Sequence, residues 1–372
     1  MSEQSSIKES IKDVLLKHYS AYPEMQIRDM VKLIYQNEFA GGHLIRDEAD
    51  SRNRLREECR ALFQSAGACA QNAGPDIPDK SMFEEIGNGL FRLNLALLRD
   101  SGISPETVNR FFINTANSIK GSIGSFEQKL EVLRQCCREN ELPYPLEAVD
   151  AYLGEYRQQG YPPVSHSEHY RVVYRPSYRI VRTEYHDYFE VFRKIDNLSR
   201  RGGSVNVVVD GNCCAGKTTL AALIANVYGC NVFHMDDFFL RPELRTEERM
   251  RETGGNVDYV RFKNEVITGL KSGREFKYQI FDCSSMKLGR IVSVTPEKIN
   301  VIEGSYSMHP ALADNYDLKI FLQINKKEQR ERILRRNGKA GLARFVSEWI
   351  PKENQYFEEM KIKEKCDLIF GV

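Results

Sequence analysis

No stretch of the 372 residues approaches about 18 consecutive apolar positions, and the start, MSEQSSIKES, is polar with no apolar signal core. Both absences speak against a membrane span and a secretory leader. Neither sign of charge is in excess: 53 Lys+Arg against 52 Asp+Glu leave a formal net charge of +1. No global field therefore draws the chain to nucleic acid or an acidic membrane. The nine cysteines form no CxxC pair. The adjacent pairs Cys136-Cys137 and Cys213-Cys214 are poorly placed for a disulfide framework, and no spacing suggests a zinc site. Internal repeats, low-complexity tracts and a regular interleaving of aromatic and basic residues are all absent, the last of which a nucleic-acid surface would show. These absences predict a soluble protein of a reducing cytoplasm, with neither membrane nor nucleic acid as partner.

The length suffices for two domains, each with its own core. Over 1–183 the apolar spacing is mostly helical. Ile7, Ile11, Val14 and Leu15 form one stripe, and Met30, Val31, Leu33 and Ile34 a second that ends at Gly41-Gly42. Leu55, Cys59, Leu62 and Phe63 mark a third helix, and the Gly/Ala/Asn/Pro-rich stretch 66–80 reads as a loop. Gly87-Asn88-Gly89 suggests a small hairpin, after which 90–97 continues as strand or helix. Ser104-Pro105 is a helix start, and Ser125-x-x-Gln128 reads as a capping box. From 204 onward the texture changes to short β-rich runs alternating with helical segments: 205–209, 230–235, 277–282, 299–304 and 318–324. Such alternation predicts a parallel sheet with helices on both faces.

The first of these runs breaks into Gly211-Asn212-Cys213-Cys214-Ala215-Gly216-Lys217-Thr218, followed by Thr219 and a helix. This is the P-loop spacing G-x-x-x-x-G-K-[ST] in its expected setting between strand and helix. The glycines let successive backbone N–H groups converge on phosphate oxygens. Lys217 brings a cation to the β- and γ-phosphates, and the Thr218 hydroxyl suits Mg²⁺. The alternative, a glycine turn with a chance Gly-Lys-Thr, does not account for the whole octapeptide. A bound nucleoside triphosphate is expected.

Residues after the loop choose among chemistries. Asp236-Asp237 closes the second run, where a carboxylate can face the γ-phosphate and accept a proton from a hydroxyl; a turn cap is the plainer alternative. Glu303, at the end of 299–303, stands where an acidic residue holds Mg²⁺ or its waters. Arg330, Arg332, Arg335 and Arg336 cluster on a later helix, either as a lid over ATP or as a solvated face paired with Glu328 and Glu331.

With these residues in place, the stretch from about 204 to 370 resembles the uridine kinase-like branch of P-loop kinases, which includes phosphoribulokinase and one type of pantothenate kinase. The matching pieces are Gly211 to Thr218, Asp236-Asp237-Phe238-Phe239, Asn256-Val257-Asp258-Tyr259 through Phe262, Tyr278 to Asp282, Glu303-Gly304, the arginine lid and Cys366 to Phe370. The resemblance implies Asp236 as catalytic base and metal-associated carboxylate, with Lys217 on phosphate. It implies Thr218 and Glu303 in the Mg²⁺ environment and Arg332, Arg335 and Arg336 in the lid. Asp258 would contact acceptor hydroxyls, and Phe239 and Tyr278 would line the acceptor pocket. Two departures bear on substrate: Cys283 stands near the family's pyrimidine-reading His, and the lid, Arg335-Arg336-Asn337-Gly338, is short.

The expectation is thus a mostly α-helical domain of unknown role (1–183) before an α/β P-loop NTPase-type parallel sheet with flanking helices (184–372). Its reaction would be ATP- and Mg²⁺-dependent phosphorylation of a hydroxyl on a nucleoside or similar metabolite. The alternative is an ATP-binding regulatory or bifunctional protein. For the latter, the polar clusters around Glu38 and His43 and around His166 and His169 are the candidates for a separate activity, with helix caps and exposed histidines as the plainer reading.

Overall fold

The computed structural model describes residues 3–68 and 81–372. The chain divides into two compact units, Met1–Arg193 and Lys194–Val372, where the sequence texture placed the change after residue 183.

In the first unit helices α1 (Glu3–Ala21), α2 (Ile27–Phe39), α3 (Glu48–Ala68), α4 (Pro105–Ser118), α5 (Ile123–Arg138), α6 (Leu146–Gln158) and α7 (Glu168–Tyr174) dominate. The loop reading of 66–80 lies outside the described residues from 69 on, and its first three residues belong to α3. Helix α4 starts as its sequence demands, with Pro105 in the first turn and Ser104 Oγ accepting the Thr107 N–H. At α5 the cap is Ser122 rather than Ser125. The Ser125 hydroxyl is drawn instead to the buried carboxylate of Glu38, 2.8 Å away. The sequence pattern did not foresee a sheet here. Strands β1 (Phe83–Gly87), β2 (Leu90–Asn94) and β3 (Tyr178–Arg182) pair antiparallel in that order. Asn88 and Gly89, both with positive φ, make the two-residue turn that a right-twisted hairpin requires. Leu15, Met30, Ile34, Phe126 and Leu133, all at 4% exposure or less, centre the core of this unit.

The second unit is built on five parallel strands in the order β10-β9-β4-β8-β5: β4 (Val205–Gly211), β5 (Asn231–His234), β8 (Ile299–Glu303), β9 (Leu318–Gln323) and β10 (Leu368–Gly371). The central strands are near-continuous apolar runs because helices cover both faces of such a sheet. One expected strand falls elsewhere. Residues 276–282 form β6 (Phe276–Asp282), which pairs antiparallel with β7 (Lys287–Val294) in a separate ribbon. Tyr278 and Phe281 are buried in it, and Phe276 and Ile280 pack against the core that holds Tyr278. Helices α8 (Lys217–Tyr228), α9 (Lys326–Arg344, broken at Gly338) and α10 (Ile350–Glu359) frame the carboxyl ends of the strands.

Candidate active site

Four parallel strands deliver the chemistry to one edge. β4 runs into the glycine loop, and the loop into α8. Gly211 has φ 137° and packs so closely on β9 that a Cβ would stand 2.0 Å from Leu322 O. Gly216 (φ 91°) and Cys214 (φ 61°) take the left-handed conformations that curl the loop. Parallel register then sets Val209 and His234 on either side of Glu303. The next residues after β5 turn Asp236 toward the same edge.

Lys217 is buried, and its Nζ donates to Gly211 O (2.8 Å), Asn212 O (2.9 Å) and Ser305 Oγ (3.2 Å). Thr218 Oγ1 donates to Glu303 Oε1 at 3.0 Å, and His234 Nδ1 lies 2.6 Å from the same oxygen. The Glu303 hydrogen bond holds the His234 imidazole above its ordinary pKa. Asp236 is open to the cleft yet walled by protein, and that burial raises its pKa, with Glu303 adding to the rise, Lys217 opposing it and Glu353 adding again. Thr218 and Glu303 together present a hydroxyl and a carboxylate oxygen, the hard donors that Mg²⁺ prefers while leaving most of its shell to phosphate and water. Among the described residues no group of three His, Cys, Asp or Glu forms a complete metal cage. The donor set therefore fits a metal shared with a polyphosphate.

Lys217, Thr218, Thr219, Asp236, Phe239, Glu303, Arg332 and Arg336 all line one cleft of ≈ 750 Å³. Arg332 pairs with Glu328 and reaches the loop through Cys214 O at 3.2 Å. On the loop's far flank Asn212 opens into a second cleft of ≈ 730 Å³, bordered by Ile324, Lys326, Arg330, Val346 and Val372. Three of the expected site residues are placed elsewhere. Arg335 is exposed and is not among the residues lining the main cleft. Asp258 is spent on capping the one-turn helix Tyr259–Phe262, with Oδ1 accepting the Arg261 N–H, and it faces a separate cleft of ≈ 620 Å³. Tyr278 is buried under Phe238, with ring centroids 5.5 Å apart, so its ring is core; burial pushes its hydroxyl pKa up to about 12.

Glu353, on α10, sits in no motif. Its Oε2 accepts the Cys213 N–H at 3.0 Å, and its Oε1 accepts the Ser305 hydroxyl at 2.6 Å. Arg245 and Trp349, which also line the main cleft, sit in no motif. The N-terminal clusters are dispersed. Glu38 is locked in a buried ion pair with Lys129 (2.6 Å), while His43 stacks edge-on to Tyr35. His166 binds Asp29 and Tyr178 inside the unit, whereas His169 pairs with Glu24 at the surface.

A parallel sheet with this strand order and a glycine loop between β4 and α8 defines the second unit as a P-loop NTPase-type fold. No family model matches the chain, and no curated protein matches it. Solved structures of P-loop kinases do match, over about half of it. A possible uridine kinase from Bacillus stearothermophilus is 19% identical, covering 49% of this chain and 99% of that one, with a TM-score of 0.37. A putative fructose transport system kinase from Silicibacter sp. TM1040 is 24% identical over 46% and 91%, with a TM-score of 0.36. D-glycerate 3-kinase from Cryptococcus neoformans is 17% identical over 40% and 78%, with a TM-score of 0.32. At such identities and scores these likenesses carry no functional weight.

Proposed function

We propose that the second unit is an ATP-dependent phosphotransferase acting on a hydroxyl of a small molecule. The observation that carries this reading is the shared cleft. Phosphate-binding groups (Lys217 and the loop N–H groups) and metal-donor groups (Thr218, Glu303) share the cleft with Asp236, a carboxylate with no ion-pair partner among the described residues, and with Arg332 and Arg336. A hydrolase needs no carboxylate base aimed at an alcohol; a transferase does. In the proposed step the acceptor O–H gives its proton to Asp236 as its oxygen forms the new bond to the γ-phosphorus, and the bond to the departing ADP oxygen breaks. Lys217 releases loop oxygens to meet the phosphates, and the arginines balance charge on the transferred group. Mg²⁺ held by Thr218 and Glu303 would neutralise the polyphosphate. The second cleft, reached through Asn212, suits the nucleoside end of ATP.

The test is an acceptor screen on the intact chain with ATP, read by mass spectrometry. Asp236→Asn is expected to cut turnover by at least about a hundredfold with ATP affinity within about threefold of wild type. Lys217→Ala is expected to weaken both together. Near-normal turnover in Asp236→Asn would remove the base assignment.

A further inference from the structure

We propose that the acceptor is an alcohol carrying an oxyanion, a carboxylate or a phosphate, which the Arg245 guanidinium holds at the end of the cleft beyond Asp236. The inference deepens the phosphotransfer reading and rests on it.

Arg245 lines the main cleft. Its Nε donates to Leu240 O at 2.9 Å, which fixes the stem and leaves the rest of its N–H fork uncommitted. Among the described residues no carboxylate lies within ion-pair distance of it. Other arginines of the cleft are already answered: Arg332 by Glu328 at 2.9 Å and Arg344 by Glu348 at 3.5 Å. Arg336 also lacks a carboxylate. It stands one turn beyond Arg332, on the helix that touches the loop at Cys214, and so belongs to the triphosphate side.

Arg245 comes instead from the segment after β5 that also supplies Asp236 and Phe239 to the cleft. The Cys283 thiol, in the same cleft, feels both the Asp236 carboxylate and the Arg245 cation. Phe239, Cys283, Met286 and Trp349 supply the apolar part of the same lining, with Phe239 and Trp349 in ring contact at 5.9 Å. Such a wall is poor in groups that would read the hydroxyls of a neutral polyol, and a thiol is a weak hydrogen-bond partner. A guanidinium fork beside apolar walls favours a planar or tetrahedral oxyanion. A substrate whose hydroxyl meets Asp236 would thus present its charged end to Arg245.

The experiment compares matched pairs differing only in the oxyanion, glycerate against glycerol and ribose 5-phosphate against ribose, with the full chain, ATP and Mg²⁺. The expected result is a kcat/KM at least about tenfold higher for a charged member than for its neutral twin. Arg245→Gln should bring that ratio near one with ATP affinity by calorimetry unchanged, and Arg245→Lys should recover part of it. Preference for glycerate or for ribose 5-phosphate decides between carboxylate and phosphate. Neutral members turned over as well as charged ones, or a preference that survives Arg245→Gln, would overturn the inference. A wild-type chain that binds ATP and phosphorylates no alcohol would sink the transfer reading instead. In that case the charged members are titrated into the protein with a non-hydrolysable ATP analogue. Binding lost in Arg245→Gln supports the oxyanion site, and equal binding overturns it.

Discussion

Asp210 is the residue on which the second unit's floor depends. It has no solvent exposure, and its two oxygens accept the N–H groups of Gly211 (2.7 Å) and Met308 (2.9 Å) and the Tyr356 hydroxyl (2.8 Å). All its neighbours donate, so an amide of the same shape would turn an N–H toward another donor. Asp210→Asn is therefore expected to cost about 2–3 kcal/mol in urea unfolding, whereas an unchanged midpoint would show that the cluster rearranges freely. Nothing in the sequence separates this buried acid from the catalytic candidates. Asp236 and Glu303 line one cleft, where acids at strand ends behind a P-loop are expected to stand. Asp258 caps the helix Tyr259–Phe262, a use of a short-loop acid that composition cannot tell from contact with an acceptor.

Among the elements, β4 and its loop were legible almost residue by residue, because φ values of 137° and 91° admit little but glycine. Gly211→Ala tests this directly. The added Cβ would meet Leu322 O at 2.0 Å, so β4 and β9 must part. A loss of at least about 2 kcal/mol is expected, together with weakened nucleotide binding by calorimetry. A variant as stable as wild type would show the strands to be more tolerant than their spacing implies. The β6–β7 ribbon marks the limit of such reading. Residues 277–282 have the texture of a parallel-sheet strand, but strand type is visible locally while the choice of neighbour is not. The hairpin at Asn88-Gly89 was readable for its turn, and the third strand β3, some 90 residues away in sequence, was not, since pairing at that distance leaves no local mark.

At the scale of the molecule, each unit has its own core and its own sensitivity to acid. In the first, His166 Nδ1 lies 3.0 Å from Asp29 and Nε2 lies 2.6 Å from the Tyr178 hydroxyl. Burial lowers the imidazole pKa to about 4, although Asp29 opposes the shift. The folded chain thus refuses a proton that the unfolded chain takes near the ordinary value of 6.5. Stability present above that value is lost as pH falls toward 4, by on the order of 3 kcal/mol. Asp29, itself held below the ordinary carboxylate range by His166 and Ser167 against its own burial, adds to the loss at still lower pH. Denaturant midpoints measured from pH 7 to 4 should fall, and His166→Gln should flatten the curve; equal slopes would exclude His166 as the cause.

Glu353 joins the glycine loop late in the chain. The eight residues of the glycine loop are complete in the chain by Thr218, yet the Cys213 N–H waits for a carboxylate 140 positions further on. The Ser305 hydroxyl waits for the same group. A nascent chain that has grown as far as residue 350 carries every residue of the motif and lacks the carboxylate that the Cys213 N–H meets, while the Ser305 hydroxyl has only Gly211 O, at 3.2 Å, to turn to. The phosphate cradle is among the first features written in the sequence of this unit and among the last to be completed as the chain emerges from the ribosome.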